Sequence, residues 1–271
     1  MEWKNIYRGM LMGASDVIPG VSGGTIAVLL GIYDRLIAAI NGILSKDWKK
    51  HLGFLIPLGI GVGAAILLLS RVIEWLFEHY PGPTQFFFLG LIIGILPYLF
   101  HQADAKKTFG AKHYILLIIG AIIVAAMAFL QADEPAVIDN ITNSTYILLF
   151  FSGIIASSAM ILPGISGSFM LLVIGVYPTI ISAISNLKLD IIAVTGIGIV
   201  IGILVMSKII NFFLSRYRIM TFALIIGLVI GSIVVVFPGW PNSTALLLLS
   251  AGTFIIGLLV AYILGRVEYA N

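Results

Sequence analysis

The chain contains no cysteine among its 271 residues, which excludes a disulfide framework and any thiolate metal site. Charge is scarce as well. Asp, Glu, Lys and Arg make up 10% of the chain, against about a quarter in soluble domains. So few charges cannot coat a water-facing surface, but they can cap the loops of a helix bundle whose sides meet membrane lipids. What fills the chain is apolar: 60% of residues are hydrophobic and the mean hydropathy is +1.13. Disorder is excluded by the same figures, because it needs low hydrophobicity and high charge. The formal net charge of +3 is small and scattered, so no nucleic acid partner is expected. His51, His79, His101 and His113 fall near loops without metal-ligand spacing, so neither a metal nor a cofactor is expected. No cleavable signal is read at the N-terminus, because Asp16 and a Pro-Gly pair interrupt the apolar run one would need. The expectation is an all-α integral membrane protein forming a single membrane domain over residues 1–271.

A transmembrane helix needs roughly 20 mostly apolar residues. Six stretches qualify: 52–77, 84–100, 114–131, 191–214, 221–237 and 245–264. Two other apolar regions are broken. Residues 6–44 contain Pro19-Gly20-Val21-Ser22-Gly23-Gly24, and residues 146–185 contain Pro163-Gly164-Ile165-Ser166-Gly167-Ser168. Proline removes a backbone donor and glycine is too permissive for a helix interior. A short arm, a Pro/Gly/Ser tip and a second short helix read as a re-entrant hairpin, whose exposed backbone must be buried in protein or line a wet cavity.

The two broken regions match each other. Beyond the tips, Gly9 matches Gly153 and Gly31-Ile32-Tyr33 matches Gly175-Val176-Tyr177. At a slightly shorter offset Gly59-Ile60-Gly61 matches Gly196-Ile197-Gly198, and Ser70-Arg71 matches Ser207-Lys208. Tyr80, Thr84, Gly90 and Gly94 then match Tyr217, Thr221, Gly227 and Gly231. Leu, Ile and Val identities arise by chance in apolar sequence, but matches of Pro, Gly, Ser and Tyr in register do not. The chain therefore reads as repeat 1 over 6–131 and repeat 2 over 146–265, each a hairpin plus three spans. Loop charge orients them. Lys46, Lys49 and Lys50, then Lys106, Lys107 and Lys112, then Arg216 and Arg218, and finally Arg266 make basic loops, whereas Asp133, Glu134 and Asp139 make an acidic one. With basic loops in the cytoplasm, every span alternates if each hairpin enters and leaves on one side. Both termini are then cytoplasmic, and three spans per repeat give the repeats opposite topology, an arrangement that secondary transporters use.

The tips carry the chemistry. Each precedes a new helix, where free amides, the positive dipole end and a hydroxyl make an anion site. Ser22, Gly23, Gly24 and Thr25 supply this in the first tip, and Ser166, Gly167 and Ser168 in the second. The bland reading is a tight turn with Ser22 and Ser166 as helix caps. Asp16 lies in the first arm, where its counterpart is Met160. An ionisable group within a membrane segment is a functional candidate, here for a coupling cation, a proton or sodium, although it could simply bond tip amides. Arg71 and Lys208 occupy equivalent places and could catch a phosphate, one at each face, or merely snorkel to the interface. Glu74 and Glu78 follow Arg71 at helical spacing and could simply pair with it, and Asp34-Arg35 reads as a helix-end pair. Trp3, Trp48, Trp75 and Trp240 read as interfacial anchors.

Asp16-Val17-Ile18-Pro19-Gly20-Val21-Ser22-Gly23-Gly24-Thr25 resembles the first motif of a bacterial family of polyprenyl-phosphate translocases, once a membrane domain of unknown function. Leu162 to Ser168 is similar to that family's second motif, and the resemblance covers nearly the whole chain. It implies a transporter of the bacterial plasma membrane, not an enzyme. The implied substrate is a lipid phosphate, undecaprenyl phosphate, returned from the outer to the cytoplasmic leaflet for cell-wall synthesis. Undecaprenyl-pyrophosphate phosphatases also carry Pro-Gly-x-Ser tips, but theirs continue with Arg-Ser and are accompanied by paired glutamates. Here Ser22 is followed by Gly23-Gly24, Ser166 by Gly167-Ser168, and only Asp16 lies in the arm before the first tip. Hydrolysis needs a base and charge stabilisers beside the nucleophile. The tips alone also allow a transporter of a small soluble anion.

Overall fold

The computed structural model describes residues 1–16, 21–130, 136–138 and 140–269. Pro19 and Gly20 of the first tip, and Asp133, Glu134 and Asp139 of the acidic loop, lie outside the described residues. Among the described residues the chain is all helix and irregular connections, with no strand. Six helices are long and apolar enough to cross a membrane: 48–69 within α4 (Trp48–His79), α5 (Pro81–Gln102), α8 (Asn143–Ile161), α11 (Leu189–Arg216), α12 (Arg218–Val236) and 244–266 within α13 (Thr244–Tyr269). The chain is an all-α integral membrane protein.

Two details differ from the sequence reading. The arm before the second tip is not short: α8 has 19 residues and is one of the six, because no charge or proline interrupts it and Thr142 caps its start, accepting from the Thr145 amide at 3.3 Å. Conversely α7 (Ala111–Met127) has 17 residues and falls short of the usual span. The first arm is α1 (Asn5–Asp16), of 12 residues.

After each tip a short helix runs into a sharp bend. α2 (Gly23–Leu29) meets α3 (Tyr33–Gly42) at 119°, and α9 (Gly167–Ile174) meets α10 (Tyr177–Ser185) at 111°. Gly31, at φ 64°, and Gly175, at φ 86°, sit at these corners in the left-handed region that glycine enters without strain. A short helix, α6 (Ala105–Thr108), completes the described elements.

Packing pairs α1 with α4, α8 with α11, α5 with α13 and α7 with α12. These contacts are backbone-close, as small residues permit in membranes. A Cβ on Gly61 would strike the Ile6 carbonyl, and one on Gly198 the Phe150 carbonyl. Likewise Gly90 lies against Phe254, and Gly227 against Leu117. Each pair of contacts recurs at the offsets found in the sequence.

The two broken regions are not buried alike. Every residue of α2 is buried, and α2 lies among α5, α8 and α13. In α9 only Phe169 is buried. α3 packs on α11, whereas its counterpart α10 has no comparable packing on α4. Asp34 and Arg35 do not pair with each other. Asp34 accepts from Arg218 at 2.7 Å, and Arg35 pairs with Glu2, because adjacent side chains on a helix point apart.

Candidate functional site at the joined tips

The two tips touch. Ser22 Oγ donates to the Met160 carbonyl at 3.2 Å, and Thr25 Oγ1 accepts from the Gly164 amide at 2.8 Å. The Tyr33 hydroxyl donates to the Ile161 carbonyl at 3.2 Å. Three side chains of the first broken region thus satisfy backbone groups that the second break frees, as a buried irregular backbone requires. Gly24 has no room for a side chain without crowding the Ile161 carbonyl.

Among the described residues, the four amides that open α2 are already occupied. Asp16 Oδ1 accepts from the Gly23 amide at 2.6 Å, and Ser22 Oγ accepts from the Gly24 amide at 3.1 Å as the N-cap of α2. The Thr25 and Ile26 amides close on the Ser22 carbonyl. The Asp16 carboxylate sits where an external anion would be expected to sit.

The second tip differs. Ser166 precedes α9 but does not cap it; its Oγ lies 2.9 Å from Ser168 Oγ. Gly164 N–H is held by Thr25 and Ile165 N–H by the Leu162 carbonyl. Among the described residues the Gly167, Ser168 and Phe169 amides have no acceptor. Three unbonded amides thus stand at the positive end of the α9 dipole, beside two hydroxyls that bond each other. A cleft of only about 10 Å³, room for a single water, lies beside Ser166, lined also by Phe169, Val124, Met127 and Val235.

Of the residues singled out by sequence, the fold gathers Asp16, Ser22, Gly23, Gly24 and Thr25 with Ser166, Gly167 and Ser168. Arg71 and Lys208 stand apart, exposed on the flanks of α4 and α11, with no ion-pair partner among the described residues. Glu74 and Glu78 do not take up Arg71, and nothing in the packing of α4 brings them to it. Among the described residues no cluster of His, Asp and Glu could hold a metal. Sequence reasoning had Tyr33 only as a repeat match. Its place in the Gly-x-Tyr recurrence after each tip is the signal that could have marked it.

A family model described as undecaprenyl phosphate translocase-like matches residues 12–263. A protein of Staphylococcus aureus named polyprenyl-phosphate transporter is 45% identical over 278 aligned positions, covering 100% of this chain and 98% of the relative. A Vibrio cholerae protein of the same name is 39% identical, covering 93% of this chain and 83% of the relative. No solved structure matches. Both relatives are named as transporters, not enzymes, and both are bacterial. With a match across nearly its whole length, the chain belongs to the undecaprenyl phosphate translocase-like family.

Proposed function

We propose that this protein carries a polyprenyl phosphate between leaflets, returning undecaprenyl phosphate from the outer to the cytoplasmic leaflet of the bacterial plasma membrane for reuse in cell-wall synthesis. One observation carries the reading: a break with open amides and a hydroxyl pair, pinned inside the bundle to a second break that holds its own carboxylate. A phosphate at the start of α9 would take the Gly167 and Ser168 amides and the Ser166 and Ser168 hydroxyls. Such donors are strong in a low-dielectric setting, where they replace the headgroup's lost water. The names of the two relatives supply the lipid class.

In this reading the halves 6–131 and 146–265 are inverted repeats with both termini cytoplasmic, and the recurring glycine contacts support the duplication. Passage of the phosphate from the second tip to the first requires Asp16 to give up the Gly23 amide. A proton or sodium ion that neutralises Asp16 weakens that bond and admits the phosphate to Gly23, Gly24, Ser22 and Thr25. Coupling then follows from competition between two anions for one amide. Arg71 and Lys208, on the outer flanks, would attract the headgroup at either face before it reaches the tips.

The test is leaflet transfer of undecaprenyl phosphate by purified protein in vesicles. Ser166→Ala with Ser168→Ala should lower the rate at least about tenfold, the loss of one charge-assisted hydrogen bond each. Asp16→Asn keeps an acceptor for Gly23 and removes the charge, so binding should persist while dependence on a proton or sodium gradient flattens. Wild-type transfer by the double serine variant overturns the tip assignment. Phosphate release from the pyrophosphate lipid, or uptake of a soluble anion without lipid movement, overturns the transport reading itself.

A further inference from the structure

A carrier of a lipid phosphate must also deal with the apolar tail. A groove of about 460 Å³ runs between α11, α12 and the start of α7, within the roughly 300–1,000 Å³ range of small-molecule sites. Its walls include Met206, Phe213, Met220 and Leu228, and its floor is Tyr33 and Leu162. Both floor residues belong to the joined tips: the Tyr33 hydroxyl bonds the Ile161 carbonyl, and Ser22 Oγ lies 3.5 Å from the Leu162 carbonyl. Leu228 links the groove to the second tip from the other side, because Gly164 packs directly on its carbonyl. The rim residues Ile209 and Phe213 are each 45% exposed, so the groove opens sideways, towards lipid.

A second groove, of about 540 Å³, has the same composition at equivalent positions: Leu76, Tyr80, Thr84 and Phe87 stand where the first has Phe213, Tyr217, Thr221 and Leu224. Among the described residues no tip residue lines it, and Tyr177, the counterpart of Tyr33, is absent from its wall. In this conformation one groove of the pair is continuous with the tips.

We propose that the groove floored by Tyr33 and Leu162 is the tail site, seating the first isoprene units of the polyprenyl chain while the phosphate is held at the second tip; this rests on the transport reading above. The wall suits that occupant. It offers almost no polar atom, and two methionines give it the adaptable surface that a branched, unsaturated chain needs. A tail seated there hangs from the headgroup site over Leu228, so head and tail would be read together. The second groove takes the tail when the tips open to the other face.

The experiment uses an undecaprenyl phosphate analogue carrying a diazirine in its first isoprene units, with the full chain in phosphatidylglycerol vesicles. Photolabel should concentrate on peptides containing Met206 and Phe213. Unlabelled undecaprenyl phosphate should compete, and phosphatidic acid, with the same headgroup class on acyl tails, should not. Label spread evenly over the lipid-facing helices, or equal competition by phosphatidic acid, overturns the tail site. Met206→Trp and Ile209→Trp fill the groove; Ile209 is already half exposed, so its variant folds without crowding the core. Each should raise the half-saturating concentration of undecaprenyl phosphate about tenfold, the worth of roughly two buried methylenes, and leave competition by methyl phosphate, which has the headgroup and no isoprene unit, close to wild type. Wild type that transfers the lipid alongside Trp variants with unchanged half-saturation removes the tail site alone. Wild type that transfers none removes the transport reading.

Discussion

Thr25 stands in the first turn of α2, and its hydroxyl accepts the Gly164 amide from the other half of the molecule. Thr25→Val keeps the shape and leaves that amide buried without a partner, at a cost of about 1–3 kcal/mol. Thermal unfolding in detergent should show the loss, and Thr25→Ser should recover most of it. Replacing an exposed threonine such as Thr244 would not give this pattern. The sequence identifies Thr25 as a tip residue, since it follows Pro-Gly-x-Ser-Gly, but not its partner, which lies 139 residues away and depends on how the two breaks are set against each other. The same limit applies to Asp16. Its position before the tip is legible, and bonding to tip amides is one of the roles that position allows. That it reaches Gly23, and so fills the first anion site, is a matter of tertiary placement that seven residues of spacing do not fix. Ser22 and Ser166 occupy equal places in the motif, yet Ser22 caps its helix and Ser166 turns to Ser168. The next residue but one decides this: Gly24 presents only an amide, whereas Ser168 presents a hydroxyl.

At the level of helices, equivalent glycines separate into those that pack and those that do not. In Gly59-Ile60-Gly61, a Cβ on Gly61 would strike the Ile6 carbonyl, whereas one on Gly59 meets nothing within 4 Å. The matched Gly196-Ile197-Gly198 divides in the same way, with Gly198 against Phe150 and Gly196 open. Gly61→Ala must push α1 from α4 along their shared backbone contact, and overpacking of this kind costs about 1–3 kcal/mol. Gly59→Ala should be neutral or stabilise by up to about 1 kcal/mol, because alanine is the better helix former. Melting temperatures of the two variants, and of Gly198→Ala against Gly196→Ala, check both halves at once. Hydropathy found the spans, and Pro/Gly breaks found the bends, because both are local properties. It missed the length of α8 and the shortness of α7, since a helix end is set by capping and by the turn beyond it, not by apolar content. Which glycine faces a neighbour is likewise a question of rotation about the helix axis, which weak amphipathicity in lipid leaves unmarked.

For the whole molecule, the telling feature is that two similar halves are packed differently. α3 lies on α11 and is tied to α12 by Asp34 and Arg218, but α10 has no comparable seat on α4. The positions equivalent to Asp34 and Arg218 are Pro178 and Pro81, so no ion pair can form there. The pair is half exposed, 34% for Asp34 and 52% for Arg218, and an exposed pair contributes about 0–1 kcal/mol. It can hold a closed side without making opening costly. If the halves exchange roles during transport, α3 leaves α11 and α10 settles on α4. The absence of native cysteine makes this directly measurable. Asp34→Cys with Arg218→Cys, bridged by a short bifunctional thiol reagent, should stop leaflet transfer of undecaprenyl phosphate, and cleavage of the bridge should restore it. Pro178→Cys with Pro81→Cys should bridge poorly at rest and more readily during turnover with substrate. Transfer at the uncrosslinked rate by the bridged 34–218 protein would show that this packing is not broken in the cycle, and that the difference between the halves is fixed, not a stage in transport.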